Sequence, residues 1–152
     1  MLQAGDPAPD FTMEADKGGS VSLKDLRGKT VVLYFYPKDD TPGCTRESCA
    51  FRDHYPSFQN QDVRVFGVSC DDIPSHEKFS AKFNLPFPLL SDPDTSVSTA
   101  YGVYKEKTNY GRKYMGIERS TFVIDGDGRI SRIFRNVKVD GHVEKVLHEV
   151  SG

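Results

Sequence analysis

The sequence predicts an α/β fold with a mixed central sheet, flanking helices and an N-terminal β-hairpin extension. Three observations carry this expectation. Thr30 to Tyr36 is β-branched and aromatic but for Leu33, without polar alternation, as in a strand buried on both faces. Val63 to Ser69 is a second apolar strand, and between the two Phe51, Tyr55 and Phe58 recur at i, i+4 and i+7. Strand, helix and strand make a βαβ unit, with parallel pairing and a right-handed crossover. Finally, Ser120 to Ile124 and Arg129 to Phe134 flank Asp125-Gly126-Asp127-Gly128 and read as a hairpin, which adds antiparallel pairing to the sheet.

In chain order, Phe11 to Leu23 gives two short strands around a Lys17-Gly18-Gly19 turn, followed by a polar turn from Lys24 to Lys29. The buried strand Thr30 to Tyr36 runs into a loop rich in breakers, Pro37 to Gly43. The helix that follows is expected to bend or break near Pro56, because proline removes a donor and crowds the preceding turn. Ser75 to Asn84 is a helix that stops before Pro86, with Phe79 and Phe83 on one face. Pro88-Leu89-Leu90 is a short strand, and Thr95 to Tyr101 a short helix ended by Gly102. Tyr104 to Glu118 reads as a polar and aromatic loop with two glycines. Val143, Val146, Leu147 and Val150 give the last helix its apolar stripe.

The length, 152 residues, suits one domain spanning 1–152, large enough to bury a core without disulfide or metal staples. Twenty basic and twenty-two acidic residues lie interspersed, giving a net charge of −2, and such a surface is not built for nucleic acid. The longest apolar run, Val31 to Tyr36, is too short to span a bilayer, and residues 1–6 lack the basic start and apolar stretch of a signal peptide. The expectation is a cytoplasmic protein with no membrane or nucleic-acid partner. Three cysteines, an odd number, point to a reducing compartment and to thiols kept for chemistry or packing.

In an α/β sheet the chemistry sits beyond the carboxyl ends of the parallel strands. The loop after Tyr36 occupies that place and delivers Cys44 to a helix N-terminus, where free backbone N–H groups and the helix dipole favour an anionic sulfur. Thr41, three residues earlier, is placed for its hydroxyl to lie beside the sulfur, and Pro37 and Pro42 restrict the backbone on either side. The alternative reading of Cys44 is a packed core thiol. Cys49 bears on the choice. On an intact helix, residues five apart have Cα atoms roughly 8–9 Å apart, beyond the usual disulfide limit of about 6.8 Å. A bond between Cys44 and Cys49 therefore requires the first turns of the helix to unwind.

Pro37-x-x-x-Thr41-x-x-Cys44 resembles the active-site signature of the peroxiredoxins. The longer string from Tyr34 to Cys49 is similar to the Q-type, or bacterioferritin-comigratory, subfamily. The resemblance extends over nearly the whole chain, through Gly5-Asp6-x-Ala8-Pro9-x-Phe11, Phe87-Pro88-Leu89-Leu90-Ser91-Asp92 and Arg119-Ser120-Thr121-Phe122-Val123-Ile124-Asp125. It implies a thioredoxin-like fold that reduces hydrogen peroxide and organic hydroperoxides by thiol chemistry without a cofactor. Cys44 matches the peroxidatic cysteine and Cys49 the resolving cysteine, which together would form an intramolecular disulfide reduced by thioredoxin or a similar dithiol protein. Arg119 matches the family arginine, expected to favour the thiolate and bind peroxide oxygens. Thr41 would hydrogen-bond the peroxide, the Gly43 and Cys44 amides would receive developing charge, and Pro37 would shield the sulfur from water. Glu47 fits the subfamily pattern, although an acid in the first helical turn is also favourable for the dipole alone. A monomer is the expected state.

Other features read as structural. Cys70, at the end of a buried strand, is expected to be a packed thiol, and His54, His76, His142 and His148 show no metal-ligand spacing. Tyr104, Tyr110, Tyr114 and Met115 suit either an ordinary packed loop or a surface for the substrate tail or the reductant. Two other functions use the same fold: disulfide exchange in other proteins, and a redox sensor switched by the Cys44–Cys49 pair. The five-residue spacing and the threonine–arginine pair argue against exchange.

Overall fold

Thr12–Ala15 (β1) and Ser20–Ser22 (β2) pair antiparallel with Met13 opposite Val21, the expected N-terminal hairpin. A 3-10 turn, Leu23–Leu26, leads to Thr30–Phe35 (β3), an interior strand of the sheet. The computed structural model, which describes residues 1–151, continues with Pro42–Asn60 (α1), Val63–Ser69 (β4), Ile73–Phe83 (α2), Leu89–Ser91 (β5) and Ser96–Ala100 (α3). Tyr104–Asn109 (β6), Arg112–Ile117 (β7), Ser120–Ile124 (β8), Ile130–Phe134 (β9) and His142–Val150 (α4) complete it.

Seven strands form one sheet in the order β2-β1-β5-β4-β3-β8-β9. β3, β4 and β5 are parallel neighbours, whereas β1, β2, β8 and β9 pair antiparallel, so the sheet is mixed as the sequence implies. The unbroken apolar character of β3 has a direct cause. Val32, Tyr34 and Tyr36 pack on one face with Phe51 and Phe58 of α1, Phe79 of α2 and Val143 and Val146 of α4. Val31, Leu33 and Phe35 pack on the other with Met13, Val68, Tyr101 and Phe122. α1, α2 and α4 pack on one face, and the loop of residues 36–41 carries the chain from the carboxyl end of β3 into α1.

Two expectations need correction. Residues 104–118 are not a loop but a two-stranded antiparallel hairpin, β6–β7, with Tyr110 and Gly111 at its turn. Both turn residues have positive φ, 51° and 76°, the conformation whose twist matches paired strands. Nor does α1 break at Pro56: it runs through to Asn60. Pro56 is exposed, and the carbonyl that loses its helical donor is that of Arg52, one turn earlier and only half-buried, where it can turn to water instead. Among the described residues no helix is long and apolar enough to cross a membrane.

Candidate active site

α1 begins where the sheet ends. Thr41 is its N-cap and Pro42 its first residue, where a missing N–H costs nothing. Asp40, just before, has φ 57°, a left-handed conformation that Asp tolerates better than most residues, and its carboxylate is held by Lys82 Nζ at 2.8 Å. The Thr41 hydroxyl donates to the Lys38 carbonyl at 2.8 Å and does not cap the helix. The sequence places that hydroxyl beside the sulfur; in the structure it is engaged within its own turn. The consequence is useful, since the Gly43 and Cys44 amides stay unclaimed by the cap and remain donors for an anion.

Cys44 is buried, on the face of α1 that also carries Ser48 and Phe51. Its partner is Arg119, on the short link between β7 and β8. Arg119 Nη2 lies 3.4 Å from Cys44 Sγ, and Nη1 donates to Glu47 Oε1 at 2.6 Å. The guanidinium packs so closely over Gly43 that a Cβ there would sit 3.1 Å from Nη2. Burial alone would lower the Arg119 ionisation, but the charges of Glu47 and Cys44 outweigh it and hold the guanidinium above its ordinary value. A fixed cation, two amides and a thiol at one helix end form a site suited to stabilising a thiolate and the negative charge that develops as it reacts.

Glu47 is fully buried, and burial pushes its carboxyl up to about 7 despite the opposing pull of Arg119. Its second oxygen, Oε2, makes no hydrogen bond and has His142 Nε2 4.0 Å away. His142, on α4, bonds the Thr121 hydroxyl at 2.8 Å, and burial drives its ring down to about 4, helped by Arg119 and Lys145. His142 and Thr121 are therefore neighbours of the site that the sequence does not disclose, because 47, 121 and 142 lie far apart along the chain.

Cys49 is in the same continuous helix, half-buried on another face, and burial raises its thiol against the pull of Arg52. Cys44, Cys49 and Cys70 are all free thiols. Cys70 packs against the core on the opposite face of the sheet, where burial and then Asp92 raise its thiol. Pro37 lies half-buried in the loop ahead of Thr41. The structure thus brings Cys44, Glu47, Gly43 and Arg119 into contact, keeps Pro37 and Thr41 in the loop leading to them, and holds Cys49 apart.

Residues 4–133 match the AhpC/TSA family. The chain is 52% identical over 146 residues to a putative peroxiredoxin bcp of Coxiella burnetii, covering 96% of this chain and 97% of that protein. The chain belongs to the AhpC/TSA family of peroxiredoxins. It is also 50% identical to peroxiredoxin Bcp of Bacillus subtilis, over 96% of this chain and 93% of that one. A solved structure of Xanthomonas campestris peroxiredoxin Q superposes with a TM-score of 0.91 at 40% identity, covering 97% of this chain and 96% of that one. Another, 39% identical with the same TM-score and covering 97% of each chain, concerns alkyl peroxide reduction by the bacterioferritin comigratory protein of that organism. The resemblance read from the cysteine loop is thereby established, with the thioredoxin-like fold and its extra hairpin. As a peroxiredoxin of the Bcp type this protein is a thiol-dependent peroxidase, and disulfide exchange gives way to that activity.

Proposed function

We propose that Cys44 is the peroxidatic cysteine, that Cys49 resolves it, and that the substrates are hydrogen peroxide and organic hydroperoxides. The observation that carries this reading is Arg119, with one nitrogen 3.4 Å from Cys44 Sγ and the other fixed on Glu47. The Cys44 thiolate attacks the terminal oxygen of the hydroperoxide. The O–O bond breaks, the sulfur becomes a sulfenic acid, and the leaving oxygen takes a proton and departs as alcohol or water. Arg119 and the Gly43 and Cys44 amides stabilise the negative charge on those oxygens. Although the Thr41 hydroxyl donates to Lys38, its oxygen keeps lone pairs and accepts from the peroxide O–H, while Pro37 covers the sulfur against water.

Cys49 then attacks the Cys44 sulfur, an S–S bond forms, and the sulfenic oxygen leaves as water. Two residues of one helix five positions apart are too distant to bond, so the first turns of α1 open for this step. A dithiol protein of the thioredoxin class returns two electrons and two protons, restoring both thiols. The enzyme works as a monomer in the cytoplasm, a reducing compartment in which the Cys44–Cys49 disulfide is a transient catalytic state and not a structural cross-link.

Peroxide consumption with thioredoxin, its reductase and NADPH tests these roles. Wild type is expected to turn over continuously and Cys44→Ser not at all. Cys49→Ser should consume about one equivalent and stop as a Cys44 sulfenic acid. Unchanged turnover in Cys49→Ser would transfer the resolving role to Cys70 or to an external thiol.

A further inference from the structure

Behind the catalytic loop lies a polar cluster that the peroxidase chemistry leaves unused. Among the described residues, Asp39, Asp71 and His76 bring three metal-ligand atoms within 4.8 Å of one another, but each of these side chains is already engaged in hydrogen bonds. Asp39, between Pro37 and Thr41, is buried, and its carboxylate accepts from the Tyr36 hydroxyl at 2.6 Å, the Ser75 hydroxyl at 2.8 Å and His76 Nδ1 at 2.6 Å. Its own amide donates to Asp71 Oδ2 at 2.8 Å, which also accepts from Ser69 Oγ. His76 is wholly buried, and its other nitrogen, Nε2, lies 2.9 Å from the Leu90 carbonyl oxygen. A carbonyl has no proton to give, so Nε2 carries one. Nδ1 faces a carboxylate that already accepts two hydroxyl protons, so Nδ1 carries one as well. The imidazolium is the form that satisfies both of these partners. Burial opposes that state, and Asp39 outweighs it.

This arrangement ties one residue of the catalytic loop to α2, to the ends of β3 and β4, and to β5. Pro37 and Thr41 flank the anchored residue, and the Thr41 carbonyl accepts the first helical bond of α1, from the Thr45 amide at 2.8 Å. Releasing Asp39 removes one anchor from the start of α1, the part that the proposed mechanism opens for the disulfide.

We propose that His76 is a positioning residue for peroxide reduction: its buried ion pair with Asp39 fixes the loop that aims Cys44, and so sets the balance between the closed helix that reacts with peroxide and the opened helix in which Cys44 is resolved. The second half of this statement rests on the proposed opening of α1.

The test separates the two steps in the full chain. Single-turnover loss of hydrogen peroxide reports the first, and disappearance of the dimedone-reactive Cys44 sulfenic acid reports the second, whichever thiol consumes it. In His76→Gln the first step should slow by about tenfold and the second quicken by about tenfold, the weight of one charge-assisted hydrogen bond. Tyr36→Phe, which deletes one donor to Asp39 and keeps the ion pair, should move both rates the same ways by about threefold, and it serves the test where His76→Gln fails to fold. Nitrogen NMR of wild type at pH 7 should show both His76 nitrogens protonated. Two rates falling together, two rates unmoved, or a neutral His76 ring would each overturn the proposal, since a purely structural residue slows both steps. If Cys49→Ser leaves the second rate unchanged, it is the resolving assignment that fails; the opposed changes in His76→Gln still report on His76.

Discussion

Gly43 shows how a single residue sets the aim of the cation that the proposal makes catalytic. Its missing side chain is the space over which the Arg119 guanidinium reaches Cys44, and a methyl group there would stand 3.1 Å from Nη2. Gly43 has no positive φ, so alanine fits the backbone and is the better helix former by about 1 kcal/mol. The expected outcome for Gly43→Ala is therefore a split: thermal stability held or slightly raised, and the peroxide step slowed by about tenfold as Arg119 is displaced. Stopped-flow peroxide loss and a melting curve check both, and a variant as fast as wild type would deny Arg119 its role. The residues of this contact were legible in the sequence because they lie in one contiguous motif, with Arg119 added by resemblance. Asp39, His76, Thr121 and His142 were not. Their partners lie 37 and 21 positions apart, pairings set by the tertiary fold and carrying no local period.

At the scale of the element, the proposed mechanism asks α1 to be two things: a rigid frame for the thiolate and a helix whose first turns open. Its hold on the sheet is graded. Phe51 stacks on Tyr34 with ring centroids 4.4 Å apart, beyond the turns that the proposal has unwind. One turn earlier, Ser48 Oγ and the Tyr34 hydroxyl share a buried hydrogen bond of 2.8 Å, and Ser48 lies between the two cysteines. Ser48→Ala leaves that hydroxyl unpaired, so stability should fall by about 1–3 kcal/mol. Part of that loss falls on the segment that opens, so disulfide formation should quicken. Urea unfolding and quenched alkylation of Cys49 measure the two effects; a disulfide rate as slow as wild type would place the opening nearer the N-terminus than Ser48. The same scale explains what the sequence concealed. β3 and β4 were plain because burial on both faces makes them continuously apolar, and α1 because burial on one face imposes a helical period on its residues. The β6–β7 hairpin is exposed along most of its length, so nothing enforces alternation in Tyr104–Asn109 or Arg112–Ile117. Its one local signal was Gly111 at the turn. Pro56 misled for a related reason: the cost of a helical proline depends on whether the orphaned carbonyl meets water, and sequence does not show which side faces out.

At the scale of the whole molecule, two buried groups beneath the site oppose each other. Burial raises Glu47 from 4.5 to about 7, so between those values the folded protein binds a proton that the unfolded chain has released. Stability from this group is full below 4.5 and is lost as pH rises through about 7. His142 runs the other way. Lowered from 6.5 to about 4, it is neutral in the fold where the unfolded chain is protonated, so its contribution grows as pH rises from about 4 to 6.5. Each amounts to one proton, about 1.4 kcal/mol per pH unit, and between pH 4.5 and 6.5 the two slopes cancel. His76, raised above 6.5 by Asp39 against its burial, adds stability that is complete below 6.5 and declines at more alkaline pH. That term is common to variants at the other two sites. Taken as a difference from wild type, Glu47→Gln should gain stability as pH rises through the window, and His142→Gln should lose it at a similar rate. Urea midpoints at half-unit intervals resolve such slopes. Opposite slopes would establish that the carboxyl holding Arg119 titrates near neutrality, beside an imidazole that does not. A Glu47→Gln curve parallel to that of wild type would mean that Glu47 stays ionised across the window, with Arg119 outweighing its burial.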